Sequence, residues 1–268
     1  MQVSIYHDGK RVKKMGTLLW AERLKLRRSR IIWISAFSAV MVLFIVFMQG
    51  QYLYYGRRYI DISEWYMTAV QSLGSIYVFP AVIALAGSWM MCREEQDDTL
   101  KSLLLVPVQI PDLIRAKLVV SAIFSVIIYV FMFAAALAVE AVLHFSALDY
   151  KMVFKFFKIY LLEGIGIFLA VSPVMAIVYR LNKSYWLSLI FAELYSFLAL
   201  FLGMNGILRF VYPITAAFCV AGYYEATPLQ LVVSLLSLCA CGGLTALVMR
   251  STGNCVTKCF LKGLRVIA

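Results

Sequence analysis

Six separate apolar runs, each about as long as a bilayer is thick, constrain this chain more than any other feature. A helix rises about 1.5 Å per residue, so about 20 apolar residues cross the hydrocarbon core. Residues 31–48, 66–91, 118–143, 159–178, 185–203 and 229–249 meet that condition. The chain has 268 residues, of which 63% are hydrophobic and 15% charged. Soluble globular proteins average about 45–50% apolar and about 25% charged. The sequence therefore predicts an all-α polytopic membrane protein with six transmembrane helices. The spans leave no room for a separate soluble catalytic domain of about 100 residues.

The formal net charge of +11 would suit nucleic acid, but its placement does not. Nine of the 25 basic residues lie in residues 1–30, directly before the first apolar run. That position points to topology and to attraction by anionic lipid, whereas a nucleic-acid reader spreads charge over a folded face. With the N-terminus inside, the inner segments carry nineteen Lys and Arg and the outer loops six. Both termini are expected in the cytoplasm. Residues 1–30 form a cytoplasmic N-terminus, 31–249 the six-span domain, and 250–268 a basic cytoplasmic tail. No cleavable leader is expected, because the first apolar run starts late and no small-residue cleavage site follows it.

Three segments between spans have their own character. In 15–30, Met15, Leu18, Leu19, Leu24 and Leu26 alternate with charges that include Glu22, Lys25, Arg27 and Arg28, the pattern of an interfacial helix beneath the membrane. The stretch 204–228 is too apolar for a solvated loop, yet Gly203, Gly206, Pro213 and Gly222 interrupt it. It reads as one or two short re-entrant helices, tolerated where protein covers the backbone. The loop 92–117 holds five of the fourteen acidic residues, among them Glu94, Glu95 and Asp98. Asp98 can cap a short helix starting at Thr99, with Leu100, Leu103 and Leu104 on one face and Pro107 closing it. Such a segment can dock a partner or lie on its own bundle; spacing does not choose between them.

Glu140, Glu163 and Glu193 fall inside predicted spans. Intramembrane carboxylates usually face a partner or a watery cavity. They are candidates for lining a substrate path; the alternative for Glu140 and Glu163 is snorkelling outward or pairing with Lys151, Lys155 or Lys158. Pro173 is expected to kink the fourth span. The six cysteines read as small buried hydrophobes rather than a zinc set, with neither histidine beside the Cys255–Cys259 pair. No metal site is expected. No phosphate-cradling G-x-x-x-x-G-K-[ST] loop, no H-E-x-x-H and no G-x-S-x-G occurs. Glu94–Glu95 lies in a loop, which disfavours an intramembrane protease.

The order of a basic helix, six spans, an acidic loop with E-x-x-x-T-x-x-x-L-L-x-x-P after the second span, and an apolar stretch before the sixth resembles the permease subunit of type-2 ATP-binding-cassette exporters. Glu95, Thr99, Leu103, Leu104 and Pro107 carry that motif, continued by 110–117. The strings AERLKLRRSRIIW (21–33) and DTLKSLLLVPV (98–108) are similar to the bacteriocin- and lantibiotic-immunity branch. Asp98 stands where many type-2 permeases have glycine, a departure that fits this branch.

The resemblance implies a dimer, homomeric or heteromeric, over two separate cytoplasmic ATPase subunits. ATP and Mg would be bound by those subunits, with no cofactor on this chain and no catalytic residue in it. The loop 92–117 would be the coupling helix, with Glu94, Glu95, Asp98, Thr99, Leu103, Leu104 and Pro107 meeting the ATPase. Residues 180–184 would lie on the same side. Glu22, Lys25, Arg27 and Arg28 would set the elbow helix at the interface. Cargo would be a peptide antibiotic expelled from the lipid bilayer. Two other readings stay open: a type-2 permease for a lipid, a drug or a bacitracin-like peptide, and a non-transporting membrane sensor or scaffold.

Overall fold

The computed structural model describes residues 2–54, 56–97, 110–145, 148–181 and 184–267; the side chains of 2–14, 54, 95 and 252–267 are not among those described. Among the described residues, six helical segments are long and apolar enough to cross a membrane; each overlies one apolar run of the sequence, and those at Ile110 and Tyr150 start well ahead of their runs.

Helix α1 (Gln2–Arg27) precedes the first span, α2 (Ile31–Gly50). A two-residue antiparallel pairing of Leu53–Tyr54 with Arg57–Arg58 and a short 3-10 turn follow. The second span consists of α3 (Trp65–Leu73), one wide turn (Gly74–Val78) and α4 (Phe79–Gln96). In that turn the Phe79 N–H donates to the Gly74 carbonyl five residues back. Pro80 is the physical reason: it lacks an N–H and its ring crowds the preceding turn, so the helix widens before it.

The third and fourth spans are α5 (Ile110–Leu143) and α6 (Tyr150–Arg180). Both extend past their apolar runs into polar first turns. Helix α6 continues through Pro173. Proline frees the carbonyl four residues back, here Leu169, and the Ser172 hydroxyl donates to that oxygen at 2.9 Å. Helix α7 (Trp186–Gly203) buries Ser188, Ala192, Ser196 and Ala199, a small-residue stripe that lets it approach α4 closely; Ser188 Oγ donates to the Ala84 carbonyl at 3.2 Å.

The interrupted stretch before the sixth span folds as α8 (Leu208–Val211) and α9 (Pro213–Ala221), and the sixth span is the Pro228–Ser251 part of α10 (Pro228–Ile267). Every residue of 214–219 is buried. Ser234 and Ser237 of α10 donate to the Phe210 and Val211 carbonyls at 3.2 and 2.6 Å, satisfying backbone that a short helix leaves open.

Helix α6 is the centre of the bundle and packs on α4, α5, α9 and α10. A Cβ on Gly166 would meet Ala217 Cβ at 2.8 Å, so glycine sets the closeness of α9 to α6. At one end of the bundle Met91, Cys92, Ile110, Ile114, Ala176, Tyr179 and Met249 form a cluster, which fixes this as the loop end. Leu26 and Leu19 of α1 join Ile31, Ala86, Met90, Val120 and Phe124 nearby. Outward faces are apolar, as Phe37, Phe44, Leu194, Phe197 and Leu236 show. Cys92 and Cys219 are buried, but Cys239 faces outward, against the expectation of burial for every cysteine.

Candidate functional site

The loop end carries a buried charge cluster built from three helices. On α1, Leu19, Glu22 and Leu26 share one face, so packing of the two leucines carries the acid inward. Lys25 Nζ lies 2.6 Å from Glu22 Oε1 and 2.7 Å from Glu94 Oε1, and Lys117 Nζ lies 2.9 Å from Glu94 Oε2. Glu94 ends the second span and Lys117 stands in the first turns of α5. These two residues bracket the loop, and Lys25 ties them to α1.

Two carboxylates and two ammonium groups balance within the cluster, which is the condition for burying charge without a large desolvation penalty. Glu22, Glu94 and Lys117 are 2%, 6% and 3% exposed, so solvent does little of the balancing. Burial disfavours the Lys25 ammonium, but its bonds to Glu22 and Glu94 outweigh that and hold its pKa above the ordinary lysine value. Outside the cluster, Arg93–Asp97 and Asp112–Arg115 pair at 3.1 and 3.3 Å on exposed surface, where such pairs contribute little. Arg27 and Arg28 are exposed and do not join the cluster. Asp98, Thr99, Leu103, Leu104 and Pro107, with the side chain of Glu95, lie outside the described residues, as do 182–183 of the 180–184 connection.

The intramembrane carboxylates separate into three settings. Glu163 is fully buried; Gln71 Nε2 donates to its Oε1 at 2.5 Å and Ser75 Oγ to its Oε2 at 2.8 Å. Ser75 in turn accepts from the Tyr129 hydroxyl at 2.9 Å. Ser75 lies in the wide turn of the second span, so this polar site and that irregularity coincide. Glu140, also fully buried, accepts from the Glu64 backbone N–H at 3.2 Å and lies 3.1 Å from His144 Nδ1, while its Oε2 has no partner among the described residues. Glu64 holds a left-handed φ of 68° where α3 begins, and the Glu140 bond anchors that unusual start.

Glu140 and Glu163 each satisfy their own neighbours and are not bonded to each other. Neither pairs with Lys151, Lys155 or Lys158; Lys155 instead meets Glu64 Oε2 at 3.3 Å. Glu193 lies on the exposed face of α7, away from both. No group of three or more metal-ligating side chains occurs among the described residues.

Sequence reasoning singled out Glu22 and Lys25 for the elbow helix and Glu94 for the coupling loop, and the structure joins the three. It passed over Lys117, Gln71, Ser75 and Tyr129. Lys117 had a usable signal, a cation directly before an apolar run. Gln71 and Ser75 had none, since each meets Glu163 across about 90 positions of chain.

Residues 18–199 match the family described as ABC-2 family transporter protein. The matched stretch includes α2 to α6, α7 as far as Ala199, the whole charge cluster and all three intramembrane carboxylates. A comparison with curated proteins gives no match. The chain belongs to the ABC-2 family of transporter proteins: it is a multi-pass membrane permease component whose ATP is hydrolysed by a separate ATPase.

Proposed function

We propose that this chain is the permease of a bacterial plasma-membrane exporter that expels a lantibiotic- or bacteriocin-type peptide from the membrane. Two copies of a cytoplasmic ATPase bind beneath a permease dimer, and the loop 92–117 receives their stroke. The observation that supports the coupling role most is the Glu22–Lys25–Glu94–Lys117 cluster; the cargo rests on the resemblance of 21–33 and 98–108 alone. It fastens both roots of the loop to α1, so a push on the loop moves α1, α4 and α5 as one body. Rigid elements of this kind carry switching motions in transporters. Both termini are cytoplasmic by the excess of Lys and Arg on the loop side.

In this reading Leu103 and Leu104 meet a groove on the ATPase. Asp98, Thr99 and Pro107 shape the short helix that presents them, and Glu94 and Glu95 lead into it. Arg27 and Arg28 face lipid headgroups. Glu163 and Glu140 shape the interior of the path, and Glu193 on α7 meets the second permease subunit or cargo.

Co-purification tests the coupling role. Leu103→Asp with Leu104→Asp should abolish association with the partner ATPase subunit; association and ATPase stimulation that both survive would refute the role. A susceptibility panel tests the cargo. Loss of the chain should sensitise cells to at least one lantibiotic, and unchanged sensitivity to all of them rejects the immunity reading.

A further inference from the structure

At the end of the bundle opposite the loop, a cleft of about 580 Å³ opens between the first turns of α6 and the C-terminal end of α9. Lys155 and Lys158 line its α6 side, Tyr224 the opposite wall, and Ile159, Leu162 and Leu231 its apolar part. The order of these residues matches the depth of a bilayer. Lys158 directly precedes the apolar run beginning at Ile159, so the two ammonium groups stand at headgroup level. The aliphatic side chains lie on the membrane side of them.

The charges are available. Lys158 is exposed and has no carboxylate partner among the described residues. Lys155 meets Glu64 only at an exposed 3.3 Å contact, a weak hold. A third cation supports the opposite wall, with the Arg209 guanidinium 4.6 Å from the centre of the Tyr224 ring. A cationic rim above an apolar floor is complementary to an anionic head with an acyl tail; basic pockets between membrane helices on the cytoplasmic side bind lipid head groups by this complementarity, and the same arrangement stands here at the opposite end.

We propose that this cleft binds an anionic phospholipid, its phosphate between Lys155 and Lys158 and one acyl chain along Ile159, Leu162 and Leu231. The site is separate from the charge cluster at the loop end and from the buried carboxylates.

Native mass spectrometry of the full-length chain in detergent, with phosphatidylglycerol and phosphatidylcholine added at equal concentration, tests this. Wild type should retain phosphatidylglycerol in preference to phosphatidylcholine. Lys158→Gln should reduce that preference by about fivefold, the effect of removing one lysine from a lipid-facing surface. Lys158→Arg should keep it. Ala221→Trp, which fills the cleft and leaves the lysines in place, should lose the bound lipid. Folding of each variant is checked by its unfolding temperature, and should that of Ala221→Trp collapse, Lys158→Gln against Lys158→Arg decides alone. Equal retention of the two lipids would overturn the proposal. So would an equal loss in Lys151→Gln, which reports general surface charge, or displacement of the lipid by excess inorganic phosphate, which reports a free-anion site.

Discussion

Lys117 Nζ and Glu94 Oε2 meet at 2.9 Å across the two roots of the loop, and both side chains are buried. Removing one partner strands the other. Lys117→Met should lower unfolding free energy by about 3 kcal/mol, the low end for a broken buried pair, because Lys25 stays bonded to Glu94. Glu94→Met combined with Lys117→Met should recover most of that stability while ATPase stimulation stays lost. Denaturant titration in micelles and a reconstituted ATPase assay separate the two readouts. A double variant as unstable as the single would show that the pair is not the source of the loss.

The Lys25 bonds predict a flat pH response. Its pKa is raised above 10.5 by Glu22 and Glu94 against the opposing effect of burial. A cation with a raised pKa contributes stability that is fully present below its unfolded value and is lost as pH rises through the folded one. The unfolding-temperature gap between wild type and Lys25→Met should hold constant from neutral pH to mildly alkaline pH and close only above 10.5. A gap that closes near neutrality would contradict the cluster.

Glu163 gives a contrast between two substitutions. Glu163→Ala leaves Gln71 and Ser75 without their acceptors in a fully buried site and should cost about 2–6 kcal/mol, two unpaired groups together. Glu163→Gln keeps the shape and one acceptor, and the Gln71 amide can turn to accept in place of donating. It should cost less than half as much by the same titration. Equal losses would mean that charge, not hydrogen bonding, holds the site.

Two glycines predict an order. A Cβ on Gly87 would fall 1.9 Å from Met175 Sδ, a buried but flexible atom; a Cβ on Gly166 would fall 2.8 Å from Ala217 Cβ, which cannot move without its backbone. Gly166→Ala should therefore destabilise more, by about 1–3 kcal/mol. Met175→Ala should rescue Gly87→Ala, and no single side-chain change at 217 short of glycine should rescue Gly166→Ala. The reverse order would place the tight contact at α4–α6.

The apolar runs made the six spans legible, because a bilayer imposes length and composition together. They placed helix starts poorly. Helix α5 begins at Ile110 and α6 at Tyr150, ahead of their apolar runs, because hydrogen bonding continues a helix into polar surroundings that hydropathy excludes. Leu19 and Leu26 showed a helix face but not that Glu22 shares it as a buried acid. The role of Lys117 depends on Glu94, 23 positions away across a loop, and no periodicity reports such a contact. Pro80, which causes the wide turn, was passed over in the sequence; Pro173 was noted, and there the helix runs on with its freed carbonyl satisfied by Ser172.

The wide turn at Gly74–Val78 also sets a phase. Gln71 and Glu94 stand 23 positions apart on one span. At about 100° per residue an unbroken α-helix would point them about 140° apart. A five-residue turn absorbs one position and brings them to within about 40°. One surplus residue thus aligns the Glu163 site and the charge cluster along the same side of the second span, so that rotation of this single helix would withdraw Gln71 and Glu94 from their partners together.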